Sequence, residues 1–257
     1  MAADPLLDVA IEAALAAGEE ILKIYANGFA VQQKSDATPV TEADLAAERI
    51  IVVRLSAAFP EIPIVAEETV AAEGTPSSAP RFWLVDPLDG TKEFIARNDE
   101  FAVCIALVEA GRAVLGVVHG PAAGVTYAAH GPGTARRRRG GAPWRPIEAR
   151  APAEGGVVVI HSRSHENSRR LAEYFQGKAV LALRSCGSAL KFGVLAAGEA
   201  DFYPRFGTTM EWDTAAGQAI LEAAGGQVLA LSGEPLRYSK PGFKNDGFLA
   251  WGRKPAW

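Results

Sequence analysis

Two carboxylates, Asp86 and Asp89, sit in the run Trp83-Leu-Val-Asp-Pro-Leu-Asp-Gly-Thr-Lys-Glu-Phe94, directly after an apolar strand. Pro87 fixes φ, and Gly90 tolerates conformations that other residues avoid, so a tight turn is expected there. Such a turn aims the two carboxylates, the Leu88 carbonyl and the Thr91 hydroxyl into one small volume. An all-oxygen cluster suits hard cations such as Mg²⁺. A lone D-P-x-D reads equally well as an Asp-rich surface turn. Two further acidic elements tip the balance towards a metal.

Upstream, Ile62-Pro-Ile-Val-Ala-Glu-Glu68 is a short β-branched run, and a strand ending in Glu67-Glu68 delivers at least one carboxylate to its tip. Downstream, Met210-Glu-Trp-Asp213 opens an apolar helix over 214–224, stopped by Gly225-Gly226. Asp213 therefore stands at the N-cap position, which is compatible with metal ligation because a carboxylate has two oxygens. Thr41-Glu-Ala-Asp44 fits a capping box at the start of a helix over 43–57. For Asp44 taken alone, capping is a sufficient explanation.

In this order, Glu67, the D-P-L-D-G-T run at 86–91 and the Trp212-Asp213 pair resemble the Mg²⁺-dependent, lithium-sensitive phosphatases of the inositol monophosphatase superfamily. The stretch Gly90-Thr-Lys-Glu-Phe-Ile-Ala-Arg-Asn98, followed by Glu100-Phe-Ala-Val-Cys-Ile-Ala-Leu107, is closer to the bisphosphate nucleotidase branch. Inositol monophosphatases read G-T-T-N-F at the first of these sites. The resemblance runs from the first helix to about Trp251. It implies an α/β chain with a layered αβαβα sandwich. It also implies hydrolysis of the 3′-phosphate of adenosine 3′,5′-bisphosphate in sulfate assimilation, with the phosphosulfate analogue as a further substrate. An inositol monophosphatase or a fructose-1,6-bisphosphatase-like activity is the alternative.

Phosphate monoester hydrolysis needs a nucleophile at neutral pH, charge neutralisation and a stabilised leaving alkoxide. Nearby Mg²⁺ ions can supply all three. The resemblance implies two or three of them, one held by Glu67, Asp86 and the Leu88 carbonyl, another by Asp86, Asp89 and Asp213. It makes Asp44 the proton acceptor for the attacking water, with Thr91 relaying or orienting it and Glu67 in the same catalytic set. Substrate contacts are implied for Gly90, Thr91 and Asp213, for Ser162 and His165 in Ser162-Arg-Ser-His165, and for Gly187, Ser188 and Lys191. Gly187-Ser188 at a helix N-terminus would be an anion site in its own right, with unpaired N–H groups and a favourable dipole. Plain structural readings exist beside these: Lys191 as a solvated helix residue, His165 as a loop histidine. Glu68 reads as a surface acid or a neighbour of the ligands. Arg97-Asn98 matches the nucleotidase run without a role that chemistry supplies.

At 257 residues the chain is one large domain or two small ones, with room for a substantial core. Its net charge of −4 gives no general attraction to nucleic acid or acidic membranes, and the partner that the resemblance implies is a small phosphorylated nucleotide. No apolar run is long enough to cross a bilayer, and no basic region followed by an apolar core opens the sequence. A cytoplasmic enzyme is expected, at most peripheral at the inner membrane, as a monomer or homodimer. Cys104 and Cys186 lack zinc or redox spacing and read as core residues. Arg136–Arg139 is expected in a solvated hairpin loop.

The elements that must position these groups follow from periodicity. Residues 6–26 form a helix, 30–39 a strand and loop, and 69–80 a flexible loop. Strands over 101–108, 113–119 and 125–129 read as an antiparallel meander. Thereafter strands over 157–160, 179–183, 201–203 and 227–231 alternate with helices over 168–176, 188–197 and 214–224. The expected division is an N-terminal α+β subdomain, 1–150, carrying most metal ligands, and a C-terminal α/β subdomain, 151–257, carrying Asp213 and the nucleotide contacts.

Overall fold

The computed structural model describes residues 4–34, 38–76, 79–163 and 168–254. Helix α1 (Pro5–Asn27) opens the chain, with Asp4 accepting the Leu7 N–H as its cap. Strands β1 (Val31–Gln33) and β2 (Pro39–Thr41) pair antiparallel and lead into α2 (Glu42–Ala58). Next come β3 (Ile64–Ala66), α3 (Glu67–Glu73), β4 (Arg81–Asp89) and the short α4 (Thr91–Ile95). Strands β5 (Ala102–Glu109), β6 (Arg112–Gly120), β7 (Val125–His130), β8 (Arg136–Arg139) and β9 (Arg145–Pro146) complete the first half. The second half runs β10 (Val157–His161), α5 (Ser168–Tyr174), β11 (Val180–Ser185), α6 (Leu190–Ala196), β12 (Phe202–Arg205) and β13 (Thr209–Met210). It ends with α7 (Ala215–Ala223), β14 (Gln227–Ala230), β15 (Lys244–Asn245) and β16 (Phe248–Trp251).

Two sheets organise the molecule. Strands β3 to β9 lie side by side in chain order, with β3 parallel to β4 and the remainder antiparallel. The smaller sheet has the order β11-β10-β12-β16-β14. Helices α1 and α2 cover one face of the large sheet, burying Trp83, Val85, Val103 and Ile105 among Ala10, Ile21 and Ile51. Its other face, with Leu84, Cys104 and Ala106, packs on α6 and α7, which also contact the smaller sheet. Helix α5 and the residue after it cover the outside of that sheet, with Tyr174 and Phe175 packed against Phe202, which stacks on Trp251. The layers are therefore αβαβα. Covering the large sheet on both faces explains why β4, β5 and β6 are nearly continuous apolar runs without polar alternation.

Several expectations need correction. Residues 69–80 are not all loop, because α3 carries the chain on to Glu73. Asp86 and Asp89 do not lie on a turn but within β4, whose strand pairing resumes beyond Pro87. The Arg136–Arg139 run is a strand, not a solvated hairpin loop. Alternation sends Arg136 and Arg138 to one side, each 4.9 Å from the centre of the Trp144 ring, and Arg137 and Arg139 to the other, towards Glu199. Helix α6 begins at Leu190, two residues later than expected, and β16 was not foreseen.

The close seating of α7 on β6 depends on Gly116, since a Cβ there would meet the Ala216 carbonyl oxygen at 2.2 Å. Gly116→Ala should cost about 1–3 kcal/mol through overpacking. Gly141→Ala, where an added Cβ meets nothing within 4 Å, should leave stability unchanged. Urea denaturation of the two variants compares them, and equal midpoints would contradict the contact.

Candidate metal centre and substrate cleft

Residues at i and i+3 of a regular strand point to opposite faces. Asp86 and Asp89 nevertheless point the same way, because Asp86 faces Cys104 while Asp89 faces Ala102. The extra residue on β4 is a bulge, and Pro87, which has no N–H to lend to the ladder, sits in it. Leu88 anchors the bulge by burying its side chain in the α1/α2 core and giving its N–H to Asp86 Oδ1 at 3.0 Å. Gly90 then turns the chain at φ 93°, and α4 starts with Thr91.

Asp213 joins them from the residue before the Thr214 N-cap of α7. It is not the cap: its Oδ2 reaches back to accept the Met210 N–H at 2.8 Å. Beside it Glu211, fully buried, accepts from the backbone N–H groups of Ser239 and Lys240 and from the Lys240 ammonium. Oxygens of Asp86, Asp89 and Asp213 lie within 4.8 Å of one another. Glu67 stands beside the cluster, since β3 pairs Ala66 with Val85 and places the next residue alongside Asp86. Its Oε1 accepts from Lys34 Nζ at 2.7 Å, and the same ammonium reaches Glu68 Oε1 at 2.7 Å. Glu68 is buried instead of lying on the surface, with its N–H given to Glu48.

The electrostatics follow from crowding like charges in a partly desolvated place. Burial, then the Glu67, Asp89 and Asp213 charges, push the Asp86 carboxyl well above the usual range. Burial and the Asp89 and Glu67 charges do the same to Asp213. Burial raises Asp89 to about 6, although the Lys191 charge and the Ala189 N–H pull it down. Burial lifts Glu68 to about 7 against its bond with Lys34. This is a pocket short of positive charge.

Asp44 completes the expected capping box, with Oδ2 accepting the Thr41 N–H at 2.8 Å and the Thr41 hydroxyl at 2.7 Å. Its Oδ1 faces the Thr91 hydroxyl at 3.1 Å, which lies 3.3 Å from the Leu88 carbonyl oxygen. One proton serves either acceptor. Burial raises the Asp44 pKa in spite of these bonds.

A cavity of about 190 Å³ is lined by Asp89 and Asp213 together with Ser162, Ser188 and Lys191. A neighbouring one of about 550 Å³ reaches Glu67 and Thr91, and the two share Gly90 and Arg205. The turn before α6 differs from the expected open anion site. Its Gly187 N–H goes to Glu100 Oε2 at 2.7 Å, and its Ala189 N–H goes to Asp89. Lys191 is buried and not solvated, its ammonium donating to the Ser188 carbonyl at 2.5 Å and the Cys186 carbonyl at 3.2 Å. Ser162 lines the same cavity and accepts from Arg205 Nη1 at 3.1 Å, whereas His165 lies outside the described residues. Sequence reasoning missed Lys34 and Arg205. Neither sits in a motif, and Arg205 Nε is buried with no hydrogen-bond partner among the described residues.

The model of the inositol monophosphatase family matches residues 2–250. The chain is 44% identical over 246 residues to the 3′(2′),5′-bisphosphate nucleotidase CysQ of Escherichia coli O157:H7, covering 95% of this chain and 98% of the relative. It is 42% identical to the CysQ of Buchnera aphidicola, covering 95% and 93%. Among solved structures it is similar to CysQ from Bacteroides thetaiotaomicron, with a TM-score of 0.82, 36% identity and 97% of each chain covered. It is also similar to an inositol monophosphatase from Anabaena, with a TM-score of 0.77, 28% identity and 96% and 90% covered. No helix among the described residues is long and apolar enough to cross a membrane.

Raised carboxyl pKa values in the fold give a definite pH dependence. Below the ordinary value of 3.8 the aspartates are neutral in both states and cost nothing; above it the unfolded chain ionises while the folded protein keeps its protons, so stability falls with rising pH, up to about 6 for Asp89 and further for Asp86 and Asp213. Metal-free protein should therefore lose more melting temperature than Asp213→Asn between pH 4.5 and 7.5, on the order of several degrees. Parallel curves would show that the cluster is not strained by its charge.

Proposed function

The chain belongs to the inositol monophosphatase family, and we propose that within it this protein is a magnesium-dependent phosphomonoesterase acting on adenosine 3′,5′-bisphosphate. Release of the 3′-phosphate leaves AMP, a reaction that clears a by-product of sulfate assimilation in the cytoplasm. The phosphosulfate analogue would enter the same site. The observation that carries this reading is the cluster of Asp86, Asp89 and Asp213 at the edge of a cleft also lined by Lys191 and Arg205.

The donor set fits Mg²⁺: it is oxygen-only, and burial together with mutual repulsion raises the Asp86 and Asp213 carboxyls, a strain that a bound cation would offset. Asp86, Asp89, Asp213, Glu67 and the Leu88 carbonyl would hold two or three ions, which when bound neutralise phosphoryl charge and favour attack by water and departure of the alkoxide. Asp44 takes the proton in this reading. Its Oδ2 is committed to Thr41, so Oδ1 receives the Thr91 proton while Thr91 Oγ1 takes one from the attacking water. Gly90 and Thr91 border the reacting phosphate. The second phosphate goes to the Lys191 side of the cleft with Ser162, Ser188 and Arg205, where two fixed cations and hydroxyls recognise an anion. Names of relatives at 44% identity support the nucleotide over an inositol phosphate.

Phosphate release from adenosine 3′,5′-bisphosphate, inositol 1-phosphate and fructose 1,6-bisphosphate should rank the first substrate highest, with turnover abolished by excess chelator. Asp44→Asn should lower kcat by roughly 10²–10⁴-fold. Preference for inositol 1-phosphate would move the protein to the other branch of the family. Undiminished turnover in chelator would end the metal assignment.

A further inference from the structure

The residues linking α4 to β5 are held in a costly shape. Arg97 and Asp99 both adopt left-handed backbone, at φ 53° and 66°, which non-glycine residues seldom occupy unless their surroundings enforce it. The surroundings do. The Arg97 guanidinium lies 4.9 Å from the Tyr25 ring centre and 5.5 Å from that of Phe29. The Tyr25 hydroxyl donates to Asp99 at 3.0 Å, and Asn98 accepts the Glu100 N–H at 3.1 Å while giving its own N–H to the Glu93 carbonyl. All of these contacts converge on the placement of one side chain, Glu100.

The Glu100 carboxylate then reaches across to the half of the molecule built on the smaller sheet. It accepts Arg163 Nε at 2.7 Å and Arg163 Nη2 at 2.5 Å, a two-pronged pairing, and the Gly187 N–H at 2.7 Å. The approach is close: a Cβ on Gly187 would meet the Glu100 carbonyl oxygen and Glu93 Cγ at 2.6 Å. Arg163 adjoins Ser162, and Gly187 belongs to the turn whose Cys186 and Ser188 carbonyls hold the Lys191 ammonium. One carboxylate thus ties down both segments, which line the cavity beside Asp89.

We propose that Glu100 is a positioning residue for substrate, fixing the 186–191 turn and the Ser162–Arg163 segment at their distance from the carboxylate cluster. Its effect on turnover rests on the function proposed above. Stability alone does not account for the arrangement, because Arg163 is about half exposed and an ion pair so open to solvent contributes little to folding. The strained turn spends conformational free energy on a contact whose return is geometric. Lys191 and Ser188, which line the cavity, are useful to an anion only when the turn is held still.

Two measurements on the full chain test this. Glu100→Ala should raise KM for adenosine 3′,5′-bisphosphate roughly tenfold or more, with kcat within about threefold of wild type. Glu100→Gln keeps one acceptor for the Gly187 N–H and should show a smaller rise, and Arg163→Ala should fall between wild type and Glu100→Ala. Hydrogen exchange on metal-free, substrate-free protein should be faster at 186–191 in Glu100→Ala and unchanged over 102–109. That readout judges the clamp even if the wild type turns over a different phosphate, in which case only the substrate assignment fails. Unchanged exchange at 186–191, or a fall in kcat with KM constant, overturns the proposal. So does faster exchange throughout the chain in both Glu100 variants, which would leave Glu100 a purely structural role.

Discussion

Gathering like charges in a partly desolvated pocket is the constraint on which the rest of this structure depends. Asp86, Asp89 and Asp213 place oxygens within 4.8 Å of one another, and both burial and mutual repulsion oppose their ionisation. Left to itself, such a cluster would spread apart or protonate. The fold prevents the first by fastening each carboxylate to backbone. Asp86 holds the Leu88 N–H, Asp89 the Ala189 N–H and Asp213 the Met210 N–H. These bonds use one oxygen of each group and leave the other for the pocket. The layers around the pocket supply rigidity: Trp83 and Val85 are buried beneath α1 and α2, and α7 lies against β6 at Gly116.

Legibility in the sequence followed how local the determining physics is. The meander over β5 to β7 was readable because apolar runs between glycine-containing turns encode it locally, and the capping box at Thr41 and Asp44 because its two partners are three residues apart. The acidic residues at 86, 89 and 213 were readable from composition and order. Their common direction was expected from a tight turn, whereas it comes from a bulge that exists only opposite β5. Aspartate is a favoured N-cap residue, which is why Asp213 reads as a cap, whereas Thr214 holds that position and the Asp213 side chain folds back on Met210. Four arginines in a row read as a solvated loop, but Trp144 and Glu199 flank them from opposite sides of a strand. Lys34 and Arg205 carried no signal at all. Each acquires meaning only from partners distant in sequence, Glu67 and Glu68 for one and Ser162 for the other.

The turn before α6 shows why a sequence reading of an anion site can be right about residues and wrong about their state. Glycine and serine ahead of a helix suggest free amides. Here Gly187 and Ala189 have already spent theirs on carboxylates, and the helix proper starts only at Leu190. An internal anion has taken the place that an external one was expected to fill. Because Ser188 stands at φ 49°, with its hydroxyl accepting the Leu190 N–H, the turn is a fixed object rather than an adaptable loop.

Asp89 is shared between the two halves of the site, and this has a consequence for how they communicate. One of its oxygens is bonded to the turn that carries Lys191, while its carboxylate belongs to the acidic cluster. The Lys191 charge in turn pulls the Asp89 pKa down against burial, so the cation and the acid are already coupled electrostatically in the absence of any ligand. A cation drawn into the cluster would compete with Lys191 and the Ala189 N–H for Asp89, and Lys191 would be freer to meet an anion. Glu100 also feels the Lys191 charge, but its strongest partners are Arg163 and the Gly187 N–H outside the cluster, so it chiefly sets where the turn stands. Position and charge of the same turn are therefore governed by two different carboxylates, both from the large-sheet half of the chain.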